Sequence, residues 1–279
     1  MKINKVEVIL EKVKKELSLS PFILGIVLGG SRASGTANEN SDIDIGIYYD
    51  KNLDYNQLNL IAKKLDDNNR ENLICHEGEW GEWVNFGGWL QIDGYQVDLI
   101  FRDIKRVENV INKTDRGEIK LYYHMGHPHS YIDLMYRGEL AESKILYSRE
   151  KYFENLKEQA QIYNENLQKE IIRYFSFDIE FSTMLIEKLR NKKDTYYLMG
   201  NIFRIFSSMN QIIFALNKKW CLNEKKAVLR IENFLIKPQD YSKKIDKIVK
   251  NLVDNPVIVL EDIKKLYDEI KILIDKARV

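Results

Sequence analysis

Two aspartates two residues apart, in Ser41-Asp42-Ile43-Asp44-Ile45, follow closely on the glycine turn Leu28-Gly29-Gly30-Ser31-Arg32. Side chains alternate along a strand, so Asp42 and Asp44 share one face while Ile43, Ile45 and Ile47 share the other. Two carboxylates held that close repel each other unless a cation lies between them. Their hard oxygen donors suit Mg²⁺, which commonly takes one or two protein carboxylates together with substrate phosphates. The glycines let backbone N–H groups approach an anion, and a helix starting after Ser31 would turn its positive end toward it. A phosphate cradle beside a divalent-metal carboxylate pair implies phosphoryl or nucleotidyl transfer.

Gly30-Ser31 followed by Asp42-x-Asp44 resembles the signature of the DNA polymerase β-type nucleotidyltransferase superfamily, and within it the bacterial antibiotic or small-molecule nucleotidyltransferases. The resemblance implies that Gly30 and Ser31 hold the triphosphate of an NTP, taken to be ATP. It also implies a two-metal site completed by a third carboxylate on a later strand. Asp98, in Tyr95-Gln96-Val97-Asp98-Leu99-Ile100-Phe101, is the candidate. The implied reaction moves an NMP from the NTP to an acceptor hydroxyl with release of pyrophosphate. Asp42, Asp44 and Asp98 would bind two Mg²⁺ ions, and Asp98 could also act as the base. Arg32 could contact phosphate or cap the surface, and Ser41 could touch the nucleotide or shape the turn into the strand.

These residues need elements to position them. Ile3, Val6, Ile9, Leu10, Val13 and Leu17 recur at helical spacing, and Ser20-Pro21 ends that helix. Residues 22–28 and 42–49 read as strands, and 55–65 as a helix. Over 71–87, glycines, acids and tryptophans mix and neither period fits. Gly88 to Ile92 and Tyr95 to Phe101 then form a hairpin around Asp93-Gly94, a pair suited to a type I′ turn. A helix follows over 103–113. Residues 122–129 hold three of the four histidines, His124, His127 and His129; they read as a turn, because Pro128 interrupts any regular element. Glycine almost disappears from Tyr152 onward, and apolar spacings of three and four over 152–190, 194–217 and 256–276 describe packed helices. The expectation is an α+β protein: a mixed-sheet nucleotidyltransferase domain over 1–148, then an all-α helical bundle over 149–279 forming a wall for the acceptor.

At 279 residues and 44% hydrophobic composition the chain can bury a sizeable core, with no apolar run of membrane-spanning length. No secretory leader is visible, and Cys75 and Cys221 are too few and isolated for a disulfide framework, so a cytoplasmic location is expected. A net charge of +1, from 43 basic against 42 acidic residues, favours a small-molecule acceptor over a long nucleic acid.

Other readings use the same motif. A protein-adenylylating antitoxin and a tRNA nucleotidyltransferase are two, the second disfavoured by charge balance. A non-catalytic nucleotide-binding module is the third, opposed by the intact Asp42, Asp44 and Asp98. Glu77, Glu79 and Glu82 read as a solvated loop that could supply a base. Trp80, Trp83 and Trp89 read as core or cleft wall. Asp194, Tyr197 and Glu224 are secondary acceptor-side candidates.

Overall fold

The computed structural model describes residues 5–50, 52–188, 194–252 and 255–277. Its elements run α1 (Lys5–Leu17), β1 (Ile23–Leu28), α2 (Gly30–Ala33), β2 (Ile43–Tyr49), α3 (Tyr55–Leu65), β3 (Phe86–Ile92), β4 (Tyr95–Asp103) and α4 (Ile104–Asp115). They continue with β5 (Leu121–His124), β6 (His127–Ile132), α5 (Leu134–Glu142), β7 (Lys144–Ser148), α6 (Lys151–Gln161) and α7 (Glu165–Lys188). The chain closes with α8 (Thr195–Leu216), α9 (Ala227–Ile231), α10 (Tyr241–Lys250) and α11 (Pro256–Ala277). The fold is α+β, a mixed sheet with helices followed by a helical part. The expected Ile3 of the first helix and Leu189 of a later one lie outside the described residues. Among the described residues no helix is long and apolar enough to cross a membrane.

The chain forms two compact units, Met1–Asn112 with Tyr136–Ile162, and Lys113–Met135 with Tyr163–Val279. The first is built on a five-stranded sheet in the order β3-β4-β2-β1-β7, in which β2 and β4 are parallel and the other pairs antiparallel. One face is apolar because the strands alternate. Ile43, Ile45 and Ile47 of β2, Val97, Leu99 and Phe101 of β4, and Phe86 and Leu90 of β3 are at most 1% exposed, and they share a core with α1 and α3. The Phe86 and Phe101 rings stack at 4.6 Å within it. On the other face Tyr48 packs against Phe153 of α6 at 5.0 Å, and Gly25 leaves the space that this ring fills.

Local chemistry fixes the sheet's free edge. Asp93 (φ 49°) and Gly94 (φ 81°) both take left-handed conformations, as a type I′ turn demands. Asp67 accepts hydrogen bonds from both of their backbone N–H groups, at 2.8 and 2.9 Å. Beside it, buried Asp66 accepts from the Arg70 guanidinium and from the Gln91 backbone N–H, while Arg70 also donates to the Trp89 carbonyl. Two neighbouring aspartates after α3 thus tie down edge strand β3. Arg137 is fully buried and donates to the carbonyls of Gln159, Ala160 and Ile162, closing the C-terminal end of α6, where a cation suits the helix dipole.

In the second unit, 121–132 is a two-stranded antiparallel hairpin rather than an irregular turn. Pro128 lies within β6, which it can do because both strands of a two-stranded sheet are edges and one N–H can go unpaired. Its anchor is Glu224, which accepts from the backbone N–H groups of His129 and Ser130 and lies 3.2 Å from His127 Nδ1. Burial pushes the Glu224 carboxyl up, but the hydrogen bonds from His127, Ser130 and His129 outweigh it and hold the group below the usual carboxylate range. The long helices α7 and α8 pack together, and buried Asp178 accepts from the guanidinium of exposed Arg204 and from Ser208. The apolar pattern over 152–190 breaks at Ile162–Asn164, between α6 and α7, where Asn164 Oδ1 accepts the Leu167 N–H.

Hydrogen bonding to Arg70 holds the Asp66 carboxyl well below its usual range, against the raising effect of burial. The stability it contributes is therefore fully present above the unfolded carboxylate pKa and lost as the pH falls. Asp66→Asn should cost about 2–4 kcal/mol at pH 7, because it leaves buried donors poorly matched. In urea unfolding the gap from the parent protein should shrink as the pH is lowered below about 4. A gap that does not change with pH would refute this account.

Candidate active site

The parallel pairing of β2 with β4 sets Asp44 directly beside Asp98. Both lie on the face opposite the apolar core, since Ile43 and Ile45 flank the first and Val97 and Leu99 the second, all buried. Asp42, just before β2, is exposed. The charges of all three are felt at one place. The Asp44 carboxyl is raised first by burial, then by Asp98 and Asp42, with Glu139 contributing and Arg32 opposing. Asp98 is raised by burial and by Asp42, against a lowering hydrogen bond from Gln96.

The glycine turn is built around Asp44. Gly29 donates its N–H to the Asp44 carbonyl at 2.8 Å. Gly30 has φ +56°, and a Cβ there would lie 1.8 Å from Asp44 Oδ2, so this residue must lack a side chain on both counts. The helix expected after Ser31 is the single turn α2, which begins at Gly30 and ends at Ala33, with Ser34 as its C-cap. One turn supplies unpaired N–H groups at its start but little macrodipole.

Arg32 reaches back to the other side of the turn: its guanidinium donates to the carbonyls of Ser41 and Asp42 and lies 5.7 Å from the Tyr95 ring centre. Ser41 Oγ accepts from the Asn38 N–H and contacts Asn38 Oδ1, which rounds off the loop into β2. Gly30, Asp42, Asp44 and Asp98 thus converge, with Ser31 beside Gly30, while Arg32 and Ser41 brace the segment between the turn and the strand.

The donor set fits a hard divalent cation. It is all carboxylate oxygen, and Asp44 and Asp98, raised first by burial, are raised further by neighbouring carboxylates whose repulsion a cation would relieve. Among the described residues no three His, Cys, Asp or Glu side chains form a ready-made metal cage. Mg²⁺ that shares its coordination with substrate phosphates does not require one.

Two features of this region had no sequence signal that sets them beside the carboxylates. Glu139 of α5 is gripped by the buried Arg102 guanidinium at 2.9 and 3.1 Å, and its charge reaches Asp44. Trp89 of β3 is the register partner of Asp98, stands 56% exposed, and stacks on Trp80 at 4.6 Å. Trp83, by contrast, is buried and packs edge-on against Tyr136. The other candidates do not join the carboxylates in the described contacts. Glu79 accepts the His76 N–H, Glu82 pairs with Arg106, and Glu77 contacts Tyr49 and Asn85. Asp194 caps the start of α8 through the Tyr197 N–H.

Gly35 also has a positive φ, +73°, but faces open space. Gly30→Ala and Gly35→Ala should therefore each cost about 1 kcal/mol in denaturant unfolding, the left-handed penalty. Only Gly30→Ala should swing the Asp44 carboxylate outward and lower its raised pKa toward the ordinary aspartate value, as read by an NMR pH titration. An unchanged Asp44 titration in Gly30→Ala would contradict this packing.

Residues 8–120, which contain the glycine turn and all three aspartates, match the nucleotidyltransferase domain family. No curated protein matches the sequence. Among solved structures, the chain is similar to a nucleotidyltransferase-like protein from Exiguobacterium sibiricum 255-15, at 10% identity and a TM-score of 0.45, covering 97% of this chain and 75% of that one. It is also similar to the spectinomycin adenyltransferase AAD(9) from Enterococcus faecialis, solved with ATP and spectinomycin, at 14% identity and a TM-score of 0.32, covering 95% and 99%. A third similarity is to the CdnC:HORMA-deltaN complex of E. coli MS115-1, at 12% identity and a TM-score of 0.24, covering 95% and 88%. None of the three superposes at a TM-score of 0.5, and the ligands of each are its own. Residues 8–120, with the carboxylates gathered on one sheet face behind a glycine turn, carry the match to the nucleotidyltransferase domain family.

Proposed function

We propose that this protein transfers an NMP from an NTP, ATP in the first instance, to the hydroxyl of a small-molecule acceptor, and that Asp42, Asp44 and Asp98 carry the reaction. The observation behind the reading is the side-by-side register of Asp44 and Asp98, with Gly30 closed against Asp44, inside the segment that matches the nucleotidyltransferase domain. Gly30 and Ser31 bind the terminal phosphates through backbone N–H groups and the serine hydroxyl. Asp42, Asp44 and Asp98 would hold Mg²⁺, which offsets phosphate charge and acidifies a nearby hydroxyl. The acceptor oxygen bonds to the α-phosphorus, the bond from that phosphorus to the bridging oxygen breaks, and pyrophosphate leaves with the electron pair. Asp98 takes the hydroxyl proton, a task suited to a carboxyl raised by burial and by Asp42. The near-zero net charge supports a small acceptor, such as an antibiotic, over a nucleic acid. The free thiols Cys75 and Cys221 suit a reducing, cytoplasmic setting.

The test is incubation with labelled NTPs, Mg²⁺ and a panel of aminoglycosides, lincosamides, tRNA and proteins. Label should move to a small molecule, and transfer to tRNA or protein instead would replace the acceptor named here. Asp42→Asn with Asp44→Asn should abolish Mg²⁺-dependent nucleotide binding in calorimetry without unfolding the chain, since neither side chain faces the core. Asp98→Ala should cut turnover by about 10²-fold or more while nucleotide affinity largely survives. Unchanged Mg²⁺-nucleotide binding in the double variant would remove the assignment of Asp42 and Asp44.

A further inference from the structure

Helices α7 and α8 present an apolar surface that the described residues leave uncovered. Phe177, Phe181 and Met184 recur on α7, and Tyr196, Met199 and Phe203 on α8, at the spacings of three and four that make one stripe along a helix. All six are 38–84% exposed. The two stripes look the same way. On each helix the stripe lies opposite the buried side, which Phe175 and Ile179 form on α7 and Ile202 and Ile205 on α8. The bonds from Arg204 and Ser208 to Asp178 hold the helices side by side, and the Phe177 and Phe181 rings stack at 6.0 Å.

Charge is missing from this surface. Residues 195–203 contain no Asp, Glu, Lys or Arg. On α7 the acids are engaged away from the stripe: Asp178 with Arg204 and Ser208, Glu180 with Tyr267 of α11, and Glu187 with Lys264 of α11. Aromatic rings and methionine without lysine or acid are the composition of an interface core. Gly200 is a second observation. It lies inside α8, where glycine weakens a helix relative to alanine. Nothing among the described residues calls for it, since its φ is not positive and a Cβ there would meet no atom within 4 Å. A helix from outside, packed across the stripe, would need that space.

We propose that the α7–α8 face is a two-fold contact with a second copy of this chain, in which the two α8 helices approach most closely at Gly200. The size fits. A whole side chain of this kind offers about 150–250 Å², so the six uncover roughly 500–800 Å², against the ~800 Å² that each partner gives to a standard interface. Symmetry selects the occupant. A two-fold contact sets one surface against itself, so a charged face repels its own copy and an uncharged one does not. Two antiparallel helices from each copy then make a four-helix layer, a packing that apolar stripes of this spacing support.

Sedimentation velocity on the full chain, at protein concentrations up to about 100 µM, tests the contact. The parent protein should sediment at twice the chain mass. Phe181→Glu and Met199→Glu, one on each helix, should each weaken self-association by about 30-fold or more. Their circular dichroism should stay that of the parent, because both side chains are exposed. Leu235→Glu, which changes a fully exposed leucine outside both helices, should leave the mass doubled. Gly200→Ala separates the contact from the fold: it should raise the thermal midpoint of the monomeric Phe181→Glu protein, yet weaken self-association about tenfold when introduced alone. Should a glutamate variant lose its helical signal, Gly200→Ala, which favours helix, decides the matter. A parent protein that stays monomeric, a doubled mass that survives both glutamate variants, or equal self-association of Gly200→Ala and the parent overturns the proposal.

Discussion

Like charges placed side by side on adjacent strands work against a fold, and the first unit is arranged to withstand that repulsion. Asp44 and Asp98 cannot separate without breaking the β2·β4 ladder. The ladder is held by the opposite face, where Ile43, Ile45 and Ile47 interlock with Val97, Leu99 and Phe101 in a dry core. A slip of one residue would bury the carboxylates and expose the isoleucines, so the apolar face sets the register of the polar one. Burial of about six such side chains, at roughly 1.5–3 kcal/mol each, outweighs the repulsion of one carboxylate pair in a partly solvated site. Both carboxyls are raised, first by burial and then by their acidic neighbours.

Much of this was written in the sequence, and the reason is periodicity. Alternation marked both acidic strands, Asp93-Gly94 marked the hairpin, and Tyr55 to Leu65 marked a helix with the bounds it has in the structure. These are local signals, each complete within about ten residues. The parallel pairing of β2 with β4 joins segments more than forty residues apart and has no local signature; only the chemistry of the aspartates hinted at it. Trp80 was hidden for a related reason, since its loop has no period and its position follows from a glycine on another segment. Glu139 was hidden because its partner, Arg102, reads as an ordinary polar end to a strand.

The histidine segment teaches a different lesson. Pro128 argued against a regular element because proline removes a ladder donor, and that argument holds for central strands. It fails in an isolated hairpin, where an edge tolerates the loss. Glu224, ninety-four residues after Ser130, supplies the anchor that two strands alone would lack. A half-buried carboxylate that accepts two backbone N–H groups beside the His127 ring organises the segment, and nothing in Asn223-Glu224-Lys225-Lys226 distinguishes it from a helix start.

The first unit is not continuous in sequence, and this shapes how the chain is made. Strand β1 is complete at Leu28, yet its second neighbour, β7, begins at Lys144, and Arg149 then pins the start of β1 through the carbonyls of Ser18, Ser20 and Ile23. On a ribosome adding about 5–20 residues per second, the 116 residues added after Leu28 up to and including Lys144 take roughly 6–23 s. Throughout that interval one side of β1 presents unpaired backbone groups, the kind of edge that recruits other chains. The vulnerable species of this protein is thus the nascent chain that has outgrown its glycine turn and not yet received its closing strand, which is where a chaperone would have most to protect.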